Sequence, residues 1–357
     1  MHGPTDPGPA LARIGWRGEP LPHDAPPGQA LARVAAQHRA GYELHDGTTL
    51  FNAQPAPRFL RRDIDASARP AVGDFVLYQP GSPPVIERIL PRRTELRRAA
   101  AGESHQRQVI AANVDRVFVL NGLDGDFNPA RIERYLLLVQ SSGAEPVLVL
   151  TKADTVDGEA ALAQLRARVP GVAMFAVNAK SAESIAPLQA FLGPGMTAVL
   201  VGSSGVGKST LTNTLLGETR QATAAVRGHD SRGRHTTTHR ALLPLPGGAC
   251  LIDTPGMREL KLTGEEELDE GQFADIDELA RSCRFGDCNH AGEPGCAVRA
   301  ALAEGTLDAE RWRNYLKLRD ELAAAAETLE AQLRRKSESR VLTKALDRRL
   351  TEKYGKR

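Results

Sequence analysis

The run Ala198-Val199-Leu200-Val201-Gly202-Ser203-Ser204-Gly205-Val206-Gly207-Lys208-Ser209-Thr210 decides how this chain is read. Four apolar residues of strand character lead into G-x-x-x-x-G-K-S, and a helical stretch, Ser209 to Leu216, follows. Strand, glycine-rich loop and helix in that order make a phosphate cradle: the glycines let the backbone curl until its N–H groups point at phosphate oxygens, and the helix N-terminus adds its dipole. Gly202, Ser203, Ser204, Gly205, Val206 and Gly207 form the cradle, with Thr210 closing the set. Lys208 reaches the β- and γ-phosphates, and Ser209 is the Mg2+ ligand.

Downstream, the apolar strand Ala249 to Ile252 ends in Asp253-Thr254-Pro255-Gly256. A carboxylate so placed after a phosphate loop belongs in the Mg2+ shell, reached through water, and the Gly256 N–H faces the γ-phosphate. Between loop and acid, Arg232-Gly233-Arg234-His235-Thr236-Thr237-Thr238-His239 is polar and weakly structured. It reads as a switch segment or as a basic surface loop; as a switch, Thr237 supplies the hydroxyl that completes the Mg2+ shell. Met257 stands where many GTPases carry a water-orienting Gln, so intrinsic turnover is expected to be slow. His235 is the candidate substitute for that Gln.

Upstream, the strand Val147 to Leu150 ends in Thr151-Lys152-Ala153-Asp154, which resembles the N/T-K-x-D box of GTPases. One carboxylate, Asp154, accepts from both N1–H and the exocyclic amine of guanine, a donor pair that adenine lacks, and a site built for it rejects the wrong base strongly. Lys152 covers the base plane. Asn178-Ala179-Lys180, after the next strand, resembles the S-A-K box whose backbone N–H meets guanine O6. Both base boxes precede the phosphate loop, whereas most GTPases place them last, so the order is that of a circular permutation. Binding elements at strand ends need spatial adjacency and not chain order, and such a site still closes.

Strands alternate with helices from Val114 onward (strands at 117–120, 146–150, 172–177 and 197–201; helices at 132–140, 158–168 and 184–192), which implies a parallel sheet with crossover helices. Residues 241 to 252 read as a hairpin. Before this domain, short strand-like runs at 31–35, 41–44, 48–51, 75–78 and 84–90, broken by turn signals such as Asp46-Gly47, suit a small all-β barrel or sandwich. Residues 1–28 hold seven prolines and five glycines and read as a flexible arm. After the nucleotide domain, Cys283-x4-Cys288-x-His290-x5-Cys296 offers three thiolates and one imidazole, a closed tetrahedral set for one structural Zn2+. Cys250, alone in an apolar strand, reads as a small buried side chain. A one-faced helix is expected from Asp308 to about Arg335.

The expected division is therefore an arm at 1–28, a β-barrel at 29–100, a permuted nucleotide domain at 108–264, a zinc domain at 265–335 and a basic tail at 336–357. The 357 residues leave room for that many units. No apolar run approaches a membrane span, and the start Met1-His2-Gly3-Pro4 carries no secretory signal, so a cytoplasmic protein without a membrane partner is expected. With 46 Lys/Arg against 44 Asp/Glu the chain is not uniformly basic; the basic positions cluster at Arg88, Arg92, Arg93, Arg97 and Arg98 and in the tail. Contact with the backbone of structured RNA fits such clusters, but charge alone does not decide it. No long heptad run compels a dimer, and a monomer is expected.

Taken together, the barrel, the boxes at 151–154 and 178–180, the loop at 202–210, Arg234-His235-Thr236-Thr237-Thr238, Asp253-Thr254-Pro255-Gly256 and the Cys/Cys/His/Cys cluster resemble the RsgA (YjeQ) family of circularly permuted GTPases over about residues 30 to 335. The resemblance implies an N-terminal OB-fold, GTPase activity stimulated by the 30S ribosomal subunit, docking of barrel and zinc domain on that subunit and its 16S rRNA, and a part in its late maturation, the factor leaving or shifting when GTP becomes GDP. It also points to His235 and its neighbouring threonines for hydrolysis. Asn178 departs from the usual Ser, and the arm and tail lie outside the shared pattern. Two other readings remain open here: a P-loop ATPase or kinase, in which 151–154 is coincidence, and a zinc-containing RNA adaptor with a structural nucleotide site.

Overall fold

The computed structural model describes residues 8–38, 40–61, 64–99, 107–217, 241–253, 266 and 272–327, with 330, 331 and 334. After a short helix α1 (Gly8–Ala12), the first unit is built from β1 (Ala30–His38), β2 (Gly41–His45), β3 (Leu50–Pro55), β4 (Phe75–Gln79) and β5 (Val85–Ile89), with the one-turn helix α2 (Pro57–Leu60) between β3 and β4. β1 pairs with both β2 and β4, β2 with β3, β3 with β5 in parallel, and β5 with β4. The ring is closed, which leaves no bare strand edge to aggregate. Register shifts at Val34/Ala36 and Leu77/Tyr78 provide the bends that closure demands. Ala32, Val34, Leu44, Ala53, Val76 and Ile86 fill its interior. Of the two β architectures open from the sequence, the barrel is the one formed, in the five-stranded OB arrangement.

A hairpin of β6 (Glu95–Ala99) and β7 (Arg107–Ala112) follows, so the strands flanking the expected division at 100/108 pair with each other. The nucleotide domain then runs β8 (Arg116–Gly122), α3 (Pro129–Gln140), β9 (Glu145–Thr151), α4 (Glu159–Arg168), β10 (Ala173–Val177), α5 (Ala182–Ile185), β11 (Thr197–Gly202), α6 (Lys208–Leu216), β12 (Ala241–Pro244) and β13 (Cys250–Asp253). The helix expected at 184–192 is α5 continued by a 3-10 turn at Ala186–Phe191, with Pro187 in its first turn. Strand order is β10-β9-β8-β11-β13-β12; the first five are parallel and β12 is antiparallel to β13. Period-two alternation sorts β8 onto two faces: Val117 and Val119 pack with Ile132 and Leu136 of α3, Phe118 and Leu120 with Ile185 and Leu211. Both faces are covered, which is why these strands read as unbroken apolar runs.

β12 also pairs with β1 at Ala36↔Ala241, so barrel and nucleotide domain share one sheet of eleven strands. The flexible arm expected at 1–28 is corrected for its described part: Leu11, Ile14 and Trp16 are buried in the core, and Trp16 meets Phe75 edge-on, centroids 4.9 Å apart. Three apolar anchors outweigh the proline and glycine average around them. The C-terminal unit is mainly helical: α7 (Ala274–Arg281), α8 (Ala297–Glu304) and a helix over 309–327 enclose Phe273, Ile276, Val298, Ala301, Leu307 and Leu318. Helix α7 begins inside a stretch, 265–278, that holds eight acids and no base.

Candidate nucleotide site and metal centre

The parallel strands all point the same way, so Gly122, Thr151, Val177, Gly202 and Asp253 end at one rim of the sheet. Ligands of open α/β sheets bind at such a rim. The phosphate loop joins β11 to α6 there. A Cβ on Gly202 would stand 2.4 Å from the Leu120 carbonyl oxygen, so only glycine fits where the loop leaves the sheet. Gly205 and Gly207 take positive φ, 78° and 99°, which turns successive N–H groups toward one concavity. Val206 between them is buried and pins the loop. Lys208 donates from Nζ to the Gly202 carbonyl at 2.8 Å and to that of Ser203, folded over the loop it serves. Ser209 and Thr210 lie in the first turn of α6.

The base box is tied to this loop directly. Thr151, buried at the end of β9, donates from Oγ1 to the Val206 carbonyl at 2.6 Å, so the two motifs form one unit although these residues stand 55 positions apart. Lys152 sits at φ 66°, a left-handed backbone that lifts its side chain out of the strand direction. Ala153 donates to the Val177 carbonyl, and Asp154 is exposed at the rim. Asn178 accepts the Lys180 N–H at Oδ1 (3.0 Å), while the Ala179 carbonyl takes the Thr214 hydroxyl of α6 at 2.7 Å. The structure thus brings together 151–154, 178–180, 202–210 and the strand end at Asp253. His235, Thr237 and Gly256 lie outside the described residues.

Sequence reasoning passed over the loop after β8. Asp124 is ion-paired with Lys152, and Asp126 accepts the Ser203 hydroxyl while pairing with Arg131 at 2.7 Å. The hydrogen bond from Lys152 holds the Asp124 carboxyl below its ordinary range. The available signal was position: Gly122-Leu123-Asp124-Gly125-Asp126 follows a parallel strand, where ligand loops are found.

In the C-terminal unit, the ligand atoms of Cys283, Cys288, His290 and Cys296 lie within 4.8 Å of one another. Cys283 Sγ is 3.6 Å from His290 Nδ1 and 4.0 Å from Cys296 Sγ, and His290 Nδ1 is 3.4 Å from Cys296 Sγ. A tetrahedron with Zn–S of about 2.3 Å and Zn–N of about 2.0 Å has edges of about 3.5–3.8 Å, so the set fits one such ion with all four positions filled by protein. The N–H of Ala297 donates to Cys283 Sγ and that of Arg299 to Cys296 Sγ, which steadies thiolates. The knuckle between ligands is drawn together by Glu293, whose carboxylate accepts the N–H groups of Gly292, Asn289 and Ala291 and is thereby lowered to about 2. Cys250 is buried and away from this cluster, as read. The arginines read as a basic patch are largely engaged internally: Arg88 with Asp24, Arg92 with Asp74 and Glu95, Arg93 with Glu19, Arg97 with Glu95. Among the described residues, no helix is long and apolar enough to cross a membrane.

The sequence model of the family described as RsgA GTPase matches residues 89–263. The small ribosomal subunit biogenesis GTPase RsgA of Xanthomonas campestris pv. campestris strain B100 is 56% identical over 333 residues, 89% of this chain and 90% of that protein. The chain belongs to the RsgA GTPase family. It is accordingly a GTP hydrolase. The RsgA of Xanthomonas euvesicatoria pv. vesicatoria is 55% identical over 90% of this chain and 91% of its own length. Among solved structures, YjeQ from Thermotoga maritima aligns with a TM-score of 0.57 at 26% identity, over 83% of this chain and 99% of that one. YloQ, a circularly permuted GTPase, aligns at the same TM-score with 23% identity over 85% and 98%, a likeness of fold. The permuted order read from the motifs thus agrees with a fold shared with a circularly permuted GTPase.

Proposed function

We propose that this GTPase acts in the cytoplasm, as a monomer, in late maturation of the small ribosomal subunit, holding the 30S particle through its 16S rRNA and leaving or shifting on it when GTP is hydrolysed. Relatives that carry the name small ribosomal subunit biogenesis GTPase, at 56% identity over nearly the whole chain, are the observation that carries this reading.

The nucleotide part rests on the rim. Guanine is read by Asp154, with Lys152 across its plane and the Ala179 region at O6; the phosphates lie in 202–210 with Lys208 at the β- and γ-positions. Ser209 and Asp253, with Thr237, are the residues for Mg2+, which supplies charge neutralisation at the phosphates when bound with GTP. His235 orients the attacking water in place of the Gln that Met257 replaces. The Thr151–Val206 hydrogen bond supports this assignment, since it holds base and phosphate elements in one register. Cys283, Cys288, His290 and Cys296 hold one structural zinc, which secures the C-terminal unit for docking.

The test is GTP hydrolysis with and without purified 30S subunits, repeated across salt. Turnover is expected to be slow alone, to rise with subunits, and to lose that rise steeply as salt displaces phosphate contacts. Equal turnover under both conditions sinks the ribosomal reading. An Asp154→Asn variant is expected to lose its preference for GTP and gain one for xanthosine triphosphate, whose C2 carbonyl accepts from the new amide; retained GTP preference sinks the base assignment. Native mass spectrometry of the purified protein is expected to show one zinc.

A further inference from the structure

The base-reading box stands next to a loop that no motif covers, Gly122-Leu123-Asp124-Gly125-Asp126-Phe127-Asn128. Its backbone is fixed at both ends: the Leu123 N–H donates to the Thr151 carbonyl at 3.0 Å, and Asn128 caps α3 by accepting the Arg131 N–H at 2.9 Å. Inside it, Asp124 takes the Lys152 ammonium on Oδ2 and the Asp126 N–H on Oδ1. A Cβ at residue 122 would stand 2.5 Å from Asp124 Oδ1, so the glycine leaves the space that the carboxylate occupies. The next acid, Asp126, takes the Ser203 hydroxyl of the phosphate loop. Two neighbouring carboxylates thus hold one residue from each half of the nucleotide site.

We propose that Asp124 is a positioning residue for nucleotide affinity: it fixes the Lys152 side chain as a cover over the purine plane, with Gly122 making room for it and Asp126 holding the phosphate loop alongside. This rests on the assignment of 151–154 as the base site. A lysine carries four rotatable bonds, and ordering them at the moment of binding costs affinity. An ion pair formed beforehand removes part of that cost. Specificity does not pass through Asp124, because the donor pair of guanine is met by Asp154. The side chains are partly exposed, 31% for Lys152 and 43% for Asp124, so the effect is modest and sensitive to salt.

The test measures Kd for a fluorescent GTP analogue and for GDP in the full-length protein with Asp124→Ala, Asp124→Glu, Lys152→Met and the Asp124→Ala/Lys152→Met double variant. For Asp124→Ala the Kd of both nucleotides is expected to rise about two- to five-fold, the scale of an exposed ion pair, with the change in KM exceeding that in kcat. Asp124→Glu is expected to recover part of it. In the Lys152→Met background the same alanine change is expected to add nothing, and high salt is expected to bring the unmodified protein toward Asp124→Ala. An unchanged Kd, or an equal rise with and without Lys152, overturns the proposal. The control is Asp154→Asn in the same assay: if it loses GTP preference while Asp124→Ala is silent, positioning fails and base reading stands; if it keeps GTP preference, the base assignment has failed first.

Discussion

Arg33 has no exposed surface, although it stands in a strand where a lone charge would ordinarily face water. Its guanidinium survives there because each of its three nitrogens finds an acceptor. Nε donates to the Gly73 carbonyl at 3.0 Å, Nη1 to the Ile14 carbonyl and to Thr197 Oγ1 at 2.9 Å, and Nη2 to the Asn113 carbonyl at 3.2 Å, with the Phe75 ring beneath at 4.9 Å. Burial pulls its pKa down to about 10, which leaves it charged at neutral pH. These partners belong to the N-terminal segment, the barrel, the connection to β8 and the start of β11, so one side chain ties four parts of the chain. Arg33→Leu orphans the buried carbonyls of Ile14 and Asn113, while that of Gly73 keeps the Asn113 amide, and is expected to cost about 2–4 kcal/mol in urea unfolding. Arg33→Lys is expected to recover less than half, because an ammonium cannot reproduce the planar fork. A loss below about 0.5 kcal/mol would refute the clamp. The sequence could not show this role, because every partner except Thr197 is a backbone carbonyl or a ring drawn from distant segments.

Elements with a period of their own were legible before any coordinates. The barrel strands announced themselves by turn signals, the nucleotide strands by apolar runs, and the ligand boxes by fixed spacing at strand ends. What escaped was structure whose determinants are non-local or masked by composition: the β6–β7 pairing, and α7, whose apolar Ile276, Leu279 and Ala280 sit among acids. The turn joining β2 and β3 lies between, since Asp46-Gly47 marks it but does not reveal its hydrogen bonds. Asp46 Oδ1 accepts the N–H groups of Thr48 at 2.8 Å and Thr49 at 2.7 Å, and Oδ2 accepts the Thr49 hydroxyl. Partial burial pushes the carboxyl up, and the N–H groups of Thr49 and Thr48 outweigh it, so it titrates below its ordinary 3.8. A depressed folded-state pKa contributes stability that is present above the unfolded value and is lost as pH falls through the folded one. Asp46→Ala is therefore expected to lower stability by about 0.5–1.5 kcal/mol at pH 7. Its difference in Tm from the unmodified protein should shrink as pH drops below about 4; a difference that persists undiminished to pH 2 would show that the charge is not what holds the turn.

At the scale of the molecule, the nucleotide and C-terminal units meet over a buried charge. Glu133 of α3 has no exposed surface; it accepts Arg311 Nη1 at 2.8 Å and Asn314 Nδ2, with Arg168 of α4 at 3.6 Å. Arg311 also grips Asp275 at 2.7 Å and the Gln272 carbonyl at 3.0 Å, and Arg134 pairs with Glu321 nearby. Burial pushes the Glu133 carboxyl up, and the pull of Arg311 and Arg168 offsets only part of that rise. Such a pair adds little net stability when whole, yet removing one member leaves an uncompensated charge and costs about 3–5 kcal/mol. That cost falls in large part on the docking of the two units, because Glu133 belongs to α3 and Arg311 to the C-terminal helix over 309–327. Glu133 lies about one turn into α3, the helix that starts at the loop holding Lys152 and Ser203. Arg311→Ala is expected to split a single thermal transition into two, with zinc still bound and GTP affinity within about two-fold of the unmodified protein, and to expose the junction to proteolysis. Adding Glu133→Gln to Arg311→Ala should restore part of the loss, since the orphaned charge is then gone. One undivided transition at unchanged temperature in Arg311→Ala would mean that apolar packing alone joins the units.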